Sequence, residues 1–127
     1  MDSPALNPAA SDDLIREAES ALGLKFPADY VAWLRKANGA RGPIGSSNYI
    51  DLWKVESIKK RNDSYNVDSF APGLILIGSD GGNEGYGIDT RRQNPVFVSV
   101  PLTGMSWAAA KTVAISFDEF WAFLQQS

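Results

Sequence analysis

Helical periodicity is strongest towards the two ends of the chain, and the stretch between them has the character of short strands separated by turns. Towards the start, apolar residues recur at helical spacing over residues 14–22, and Pro27 suits the first turn of a second helix. Towards the end, residues 117–124 carry a heavy apolar stripe. This order predicts an α+β fold with two N-terminal helices, a mainly antiparallel sheet of about five strands, and a C-terminal helix packed on it.

Capping and turn residues mark the boundaries of these helices. Ser11 and the acidic residues after it can cap the first helix, and Gly23 suits the left-handed position that ends it. The second helix is predicted to end at Asn38 and Gly39 for the same backbone reason. Ser116 stands three residues before Glu119 and can form a capping box with it, which predicts the start of the closing helix.

Five stretches in the middle of the chain have strand character. The run VFVSV alternates most clearly, and the run LILI is short and apolar throughout. The glycine- and proline-rich stretch GARGPIGSS is predicted to be a loop, and the polar stretch SIKKRNDSY a short exposed helix or turn. The predicted strands cover residues 48–55, 74–77, 86–88, 96–100 and 111–115.

The chain length of 127 residues suits one domain, and an apolar content of 44% is enough for it to fold without disulfides. Residues 11–127 are predicted to form this single domain. The first ten residues contain two prolines and several small residues, which predicts a flexible N-terminal arm over residues 1–10.

Cysteine and histidine are both absent from the sequence. A thiol nucleophile and a Cys-ligated zinc are therefore excluded, as are Ser-His-Asp and Cys-His catalysis within one chain. Acid–base chemistry would have to come from carboxylates, lysine or tyrosine. We predict that the protein is not an enzyme and that it carries no cofactor and no metal, and we keep carboxylate-dependent catalysis as the open alternative.

The net charge of −3 bears on the choice of partner. Neutralisation of phosphates provides most of the affinity for nucleic acid, so an acidic chain is expected to bind a basic protein rather than nucleic acid directly. No stretch approaches the roughly 20 apolar residues of a membrane span, and the first residues lack the pattern of a secretory signal. These features predict a cytoplasmic protein that contacts no membrane; its oligomeric state is left open.

Four stretches follow one another in a distinctive order. They span Lys25 to Leu124 and read FPADYVAWLRKANG, YIDLW, LILIGSDGGNEGYGID and ISFDEFWAFL. This order resembles the SUKH superfamily, in its cell-wall-regulator-like branch, with its Leu/Phe-Pro-x-x-Tyr opening, glycine-rich turn and closing helix. The chain departs from the family in the short segment after Gly39, and in Trp33 and Trp121, where smaller apolar residues are common.

The resemblance implies a non-enzymatic protein-binding module on an α+β fold. For bacterial members it implies an immunity protein that binds and neutralises a toxin domain, often a nuclease. A second interpretation, after the fungal relatives, is a regulatory scaffold without a toxin partner. A third, from another class, is a carboxylate-dependent hydrolase, which needs two acids roughly 5–9.5 Å apart.

The stretch GSDGGNEGYGID, residues 78–89, combines five glycines with the carboxylates of Asp80, Glu84 and Asp89. Such a composition permits a calcium loop or a phosphate cradle, but the spacing does not match an EF-hand and the Walker lysine is missing. Glycine reaches positive φ freely and Asp and Asn favour turns, which together favour a structural hairpin turn that binds no calcium. The turn can expose Asp80 and Glu84, and all three acids are candidates for contact with the partner.

Two tryptophans are further candidates for partner contact. Trp53 follows Leu52 in a predicted strand, so the two side chains point to opposite faces and one of them can be exposed. Trp107 lies in a predicted loop, either as an exposed anchor, since Trp is enriched at interface hot spots, or as a lid over the core. Trp33 and Trp121 have apolar neighbours on helices and are predicted to be core residues.

Overall fold

A seven-stranded antiparallel sheet runs through the computed structural model, which describes residues 3–126. The strands lie side by side in their order along the chain, so neighbours in the sheet are also neighbours in sequence. They are β1 (Ala5–Leu6), β2 (Ala40–Ile44), β3 (Asn48–Leu52), β4 (Leu74–Ser79), β5 (Glu84–Asp89), β6 (Val96–Pro101) and β7 (Lys111–Ala114). The helices are α1 (Asp12–Leu22), α2 (Ala28–Leu34), α3 (Ile58–Ser64), α4 (Val67–Phe70) and α5 (Phe117–Gln125), with a 3-10 turn at Val55–Ser57 before α3. The predicted α+β class is confirmed.

The count of about five strands was wrong, because β1 and β2 join the five predicted strands. Residues 39–47 were predicted to be a loop, yet the side chains of Ala40–Ile44 alternate between buried and exposed positions. Proline lacks the N–H that a central strand needs. Among the described residues, β1 pairs with β2 only at Ala40 and Arg41, so Pro43 lies beyond that ladder, at a position where a proline is tolerated.

Part of the predicted arm lies against the sheet. Ala5 and Leu6 pair with β2, and the N–H of Asn7 donates to the carbonyl oxygen of Gly39 at 3.0 Å. Residues 1 and 2 of the predicted arm and residue 127 of the predicted domain lie outside the described residues. The flexibility of residues 1–10 stays a prediction. The described part of this arm is hydrogen bonded to the domain.

The larger core lies between one face of the sheet and helices α1, α2 and α5. Phe97 of β6 stacks on Phe120 of α5 with ring centroids 5.1 Å apart, and Tyr86 of β5 meets Phe120 edge-on at 5.5 Å. The Asp29 carboxylate of α2 accepts a hydrogen bond of 2.6 Å from the N–H of Phe117. Helix α2 therefore caps α5 from outside and fixes it on the sheet.

Local signals set most of the helix ends. The hydroxyls of Ser11 and Ser116 each accept a hydrogen bond from a first-turn N–H, and Gly23 ends α1 with φ 71°. These three predicted boundaries are confirmed. Helix α2 ends earlier than predicted, at Leu34, and further turns carry the chain to Asn38.

A smaller apolar cluster lies on the other face of the sheet, where α4 and the loop after β6 cover it. It consists of Trp53, Val67, Ala71, Leu74, Leu76, Val98, Val100 and Met105. Strand β3 pairs with β4 at two positions and then leaves it. Beyond that point the side chain of Asn62 in α3 takes the place of a strand, donating to the carbonyl oxygen of Leu76 at 2.9 Å and accepting from its N–H at 2.8 Å.

Candidate functional site

A polar groove of about 530 Å³ opens on the sheet face that α5 does not cover, and we refer to it as the β3 groove. Strands β2 and β3 form its floor, the end of α3 forms one wall, and the turn between β4 and β5 forms the other. Its lining residues are Arg41, Tyr49, Asp51, Trp53, Arg61, Tyr65, Ser79, Asp80, Gly81 and Gly82.

The floor of the groove follows from strand alternation and register. Tyr49, Asp51 and Trp53 are spaced two apart, which places their side chains on the same face of the sheet. Arg41 lies directly opposite Asp51 on the neighbouring strand. A hydrogen bond to Tyr49 and the charge of Asp51 raise the pKa of Arg41. A phenol, a carboxylate and a guanidinium therefore lie side by side on the floor.

The α3 wall is built on Trp53. The Tyr65 ring stacks parallel to the Trp53 ring with centroids 6.2 Å apart, and the Arg61 guanidinium lies 4.9 Å from the centroid of the same ring. Leu52 and Trp53 do point to opposite faces, but both are buried, with Trp53 only 4% exposed. Trp53 therefore supports the wall, while Arg61 and Tyr65 form its surface.

The predicted hairpin turn between β4 and β5 is confirmed. The Asp80 carboxylate accepts hydrogen bonds from the N–H groups of Gly82 at 2.8 Å and Glu84 at 3.2 Å, which holds the turn in shape. Gly81 has φ 84°, and a side chain there would begin 2.9 Å from the Tyr49 ring. The turn thus closes directly over the groove floor.

The three acids of the turn region do not converge. Asp80 lines the β3 groove, Glu84 lines a different pocket, and Asp89 is buried at the far end of β5. Across residues 3–126, no group of three or more acidic side chains is arranged to hold a metal ion.

Asp89 is held by an arginine that also holds Trp107. Arg91 donates to both carboxylate oxygens of Asp89 at 3.0 Å, and its guanidinium lies 3.4 Å from the ring centroid of Trp107. The Trp107 indole N–H donates to the carbonyl oxygen of Pro72 at 2.8 Å. Of the two interpretations of Trp107, the structure supports the lid, since its ring packs against the smaller apolar cluster.

The environment of Asp89 favours its ionised form. Burial alone would raise the pKa of this carboxyl group, but hydrogen bonds from Arg91 and the charges of Arg91 and Arg92 outweigh burial and lower it below 3.8. With Asp89 3% exposed and its oxygens occupied, the residue holds the fold together at this corner and presents little surface to a partner.

The family comparison agrees with this architecture. A family model described as SMI1 / KNR4 family (SUKH-1) matches residues 9–125, nearly the whole chain. The chain belongs to the SMI1/KNR4 family. No curated protein matches it. The SUKH resemblance seen in the sequence is thereby confirmed, and membership in SUKH-1 is consistent with a protein-binding role.

The opening motif of this SUKH-1 chain builds the fold rather than the groove. Tyr30 is 1% exposed, and burial raises the pKa of its hydroxyl well above the usual range. The Asn38 side chain accepts from the N–H of Val55 at 2.7 Å and donates to Glu56 at 2.7 Å, which ties the end of the helix pair to the 3-10 turn before α3. The stretch YIDLW instead supplies the floor of the groove.

Of the ten residues that line the groove, only Trp53 and Asp80 were sequence candidates. The largest side chains among the other eight are Arg41, Tyr49, Arg61 and Tyr65. Strand alternation already places Tyr49 on the same face as Trp53, and a spacing of four places Arg61 and Tyr65 on one side of a helix. Arg41 carried no such signal, because its strand was predicted to be a loop. Among the described helices of this SUKH-1 chain, none is long and apolar enough to cross a membrane.

Proposed function

We propose that this protein is a non-enzymatic, cytoplasmic protein-binding module of the immunity type, which binds a toxin domain and blocks its action. SUKH-1 membership supports a protein partner, and the β3 groove carries the proposal further. Tyr49 and Tyr65 are 39% and 36% exposed, and Arg41 and Arg61 flank them. Tyrosine, tryptophan and arginine are the residue types that dominate binding energy at protein interfaces.

The groove side chains are held in place before any partner arrives. Arg61 and Tyr65 pack on the buried Trp53, Arg41 is bonded to Tyr49, and the turn at Gly81 lies against the Tyr49 ring. Side chains that are already ordered lose less conformational entropy on binding, so a preformed groove binds more tightly than a mobile surface of the same area.

The proposed contact surface differs from the candidates chosen on sequence. Asp80 stays in it as a lining residue, and Trp53 acts from beneath. Asp89 and Trp107 are left out, because their polar atoms are bonded within the fold. A nuclease toxin must carry positive charge to hold phosphate, and the net charge of −3 favours its approach. Direct contact of this chain with nucleic acid is not part of the proposal.

The two alternatives receive less support. A hydrolase would need two carboxylates paired in a cleft. Asp51 and Asp80 both line the β3 groove, but Asp51 lies opposite Arg41 and Asp80 accepts the N–H hydrogen bonds that hold the hairpin turn. The buried Glu19 accepts from the N–H of Phe26 at 2.8 Å, and Asp89 is paired with Arg91. A scaffold would use the same groove for a partner other than a toxin, and the choice between toxin and scaffold rests on the experiment below.

The test is a search for a toxin domain encoded beside the gene and co-expression with any that is found, together with binding measured on purified proteins. Wild type should restore growth, and the Tyr49→Ala/Tyr65→Ala double variant should bind at least roughly tenfold more weakly, as hot-spot truncation predicts. Phe70→Ala is the matched control, since Phe70 is an exposed aromatic outside the groove.

The outcomes separate the alternatives. Binding of the double variant at wild-type strength, with its fold intact, would place the interface elsewhere on the molecule. Failure of wild type to bind or neutralise the toxin would contradict the immunity proposal and favour the scaffold.

A further inference from the structure

A second pocket, of about 420 Å³, lies on the helix-covered side of the sheet where α5 ends. Its volume falls within the roughly 300–1,000 Å³ typical of small-ligand pockets. It does not share a lining residue with the β3 groove, and we refer to it as the Glu84 pocket. The residues that line it are Asn48, Glu84, Tyr86, Ser99, Phe123 and Gln126.

Aromatic rings form the apolar part of the Glu84 pocket. Phe123 is 36% exposed, and its ring meets that of Tyr86 edge-on with centroids 6.5 Å apart. Tyr86 is fixed in turn by its edge-on contact with the buried Phe120. The exposed part of the Phe123 ring is thus held in one place, and the face of such a ring attracts cations.

The charge in the pocket is negative. None of the residues that line it is a lysine or arginine, and none of the ion pairs found within residues 3–126 includes Glu84. Glu84 therefore differs from Asp89 on the same strand, whose charge is neutralised by Arg91. A half-buried carboxylate without a cation leaves an electrostatic attraction that a ligand can satisfy.

The ionisation of Tyr86 is consistent with this negative potential. Burial raises the pKa of Tyr86 to about 12, and the charges of Asp80 and Glu84 act in the same direction, against a hydrogen bond from Asn48. The phenol therefore stays protonated at neutral pH. Its oxygen and the hydroxyl of Ser99, directly opposite on β6, remain neutral polar groups beside the carboxylate.

From this combination we infer that the Glu84 pocket receives a lysine or arginine side chain of the bound protein. A carboxylate neutralises the charge, neutral oxygens accept N–H hydrogen bonds, and the aromatic ring packs on the methylene groups or the cation itself. The identity of the partner as a basic toxin domain rests on the proposed function, but the preference of the pocket for a cation does not.

The first test needs no toxin. Methylguanidinium and n-butylammonium chlorides are titrated into the ¹⁵N-labelled protein, with n-butanol as the neutral analogue and sodium chloride at matched ionic strength. The amide signals of Glu84, Tyr86, Ser99 and Phe123 should shift saturably with the two cations and not with butanol or salt. Glu84→Gln should weaken this binding at least fivefold.

Glu17→Gln is the matched control, because it removes the same charge from an exposed position on α1. It should leave cation binding unchanged. Saturable shifts of equal strength in wild type and Glu84→Gln, or no saturable shift with either cation, would overturn the inference.

The second test uses the toxin domain and separates the two proposals. Glu84→Gln should weaken toxin binding at least tenfold, and Glu17→Gln should not. If wild type binds the cations but no toxin, the proposed function fails and the pocket stands. If wild type and Glu84→Gln bind the toxin equally well, the pocket takes no side chain of that partner and the inference fails alone.

Discussion

On the helix-covered face of the sheet, aromatic rings from β5, β6 and α5 pack against one another, whereas on the opposite face short segments are held by directional polar bonds. Phe120 is fully buried and contacts Phe97, Tyr86 and Phe117. On the other face, Asn62 bonds the open edge of β4, and Arg91 joins Asp89 to Trp107.

This difference suggests how one small domain combines stability with recognition. Apolar burial is non-directional and stabilises in proportion to the area buried. It therefore stabilises the sheet without fixing the positions of the side chains on the opposite face. Hydrogen bonds and ion pairs are directional and hold individual side chains at defined positions. The face held by polar bonds carries the β3 groove, and on the helix-covered face the Glu84 pocket lies beside the C-terminal end of α5.

The largest effect is expected on the helix-covered face. Phe120→Ala should lower the free energy of unfolding by about 3–5 kcal/mol, because the truncation leaves a cavity among three aromatic rings. Denaturant melts measure this loss, with Phe70→Ala as the control, since Phe70 is 56% exposed. A loss of under about 1 kcal/mol for Phe120→Ala would mean that α5 contributes little packing, and the contrast between the faces would disappear.

The next effect falls on the opposite face. Asn62→Ala leaves the N–H and carbonyl of Leu76 without their partner at a buried edge. Each such group costs about 1–3 kcal/mol, so the free energy of unfolding should fall by at least about 2 kcal/mol. Asn94→Ala, in an exposed turn, is the control and should change stability by under about 0.5 kcal/mol. Equal effects of the two substitutions would show that water replaces the Asn62 side chain without loss.

Asp89→Asn should have a smaller and pH-dependent effect. It removes a charged acceptor from Arg91 and should cost about 1.5–3 kcal/mol at pH 7. Because the folded-state pKa lies below 3.8, the ionised pair stabilises the fold above that pH, and this stabilisation is lost as the pH falls through the folded-state pKa. The gap between wild type and variant in thermal melts should therefore narrow below about pH 4, and a gap that stays constant would contradict the ion-pair account.

The smallest effect is expected on the helix-covered face, at the N-terminal start of α5 rather than in its packing. Ser116→Ala removes the hydroxyl that accepts from the N–H of Glu119 and should cost about 1 kcal/mol. Denaturant melts of Ser116→Ala and Phe120→Ala, measured side by side, sharpen the comparison because both changes affect the same helix. A cap effect as large as the packing effect would mean that helix formation, rather than burial, limits stability on this face.

The parts of the fold that the sequence predicted are those with local signals. Gly23, Ser11 and Ser116 act on backbone groups within one turn of themselves, so their roles follow from spacing alone. Strand β2 was missed because glycine and proline in GARGPIG normally mark loops. What makes ARGPI a strand is pairing with β3 on one side and a short β1 on the other, which only the fold provides.

The candidate site divides in the same way. Tyr49 could have been chosen from its alternation with Trp53, because side-chain direction in a strand is a local property. The sequence could not have excluded Asp89 and Trp107 as contact residues. Their polar atoms are bonded to Arg91 and to the carbonyl of Pro72, and Pro72 is 35 residues from Trp107. Asp80 was correctly placed at a turn, whereas Glu84, predicted in the same turn, is the first residue of β5. The separate pockets that the two residues line depend on α3 and α5.

The consecutive order of the strands also affects the time course of folding. Each strand pairs with its neighbour in the chain, so the hairpins of β4, β5 and β6 close short loops at little entropic cost. By contrast, the bond between Asp29 and the N–H of Phe117 joins positions 88 residues apart. During synthesis, the sheet can assemble before α5 exists, and its apolar face is then open to other nascent chains and to chaperones. Docking of α5 covers this apolar face and thus ends the period in which the newly synthesised chain is most prone to aggregate.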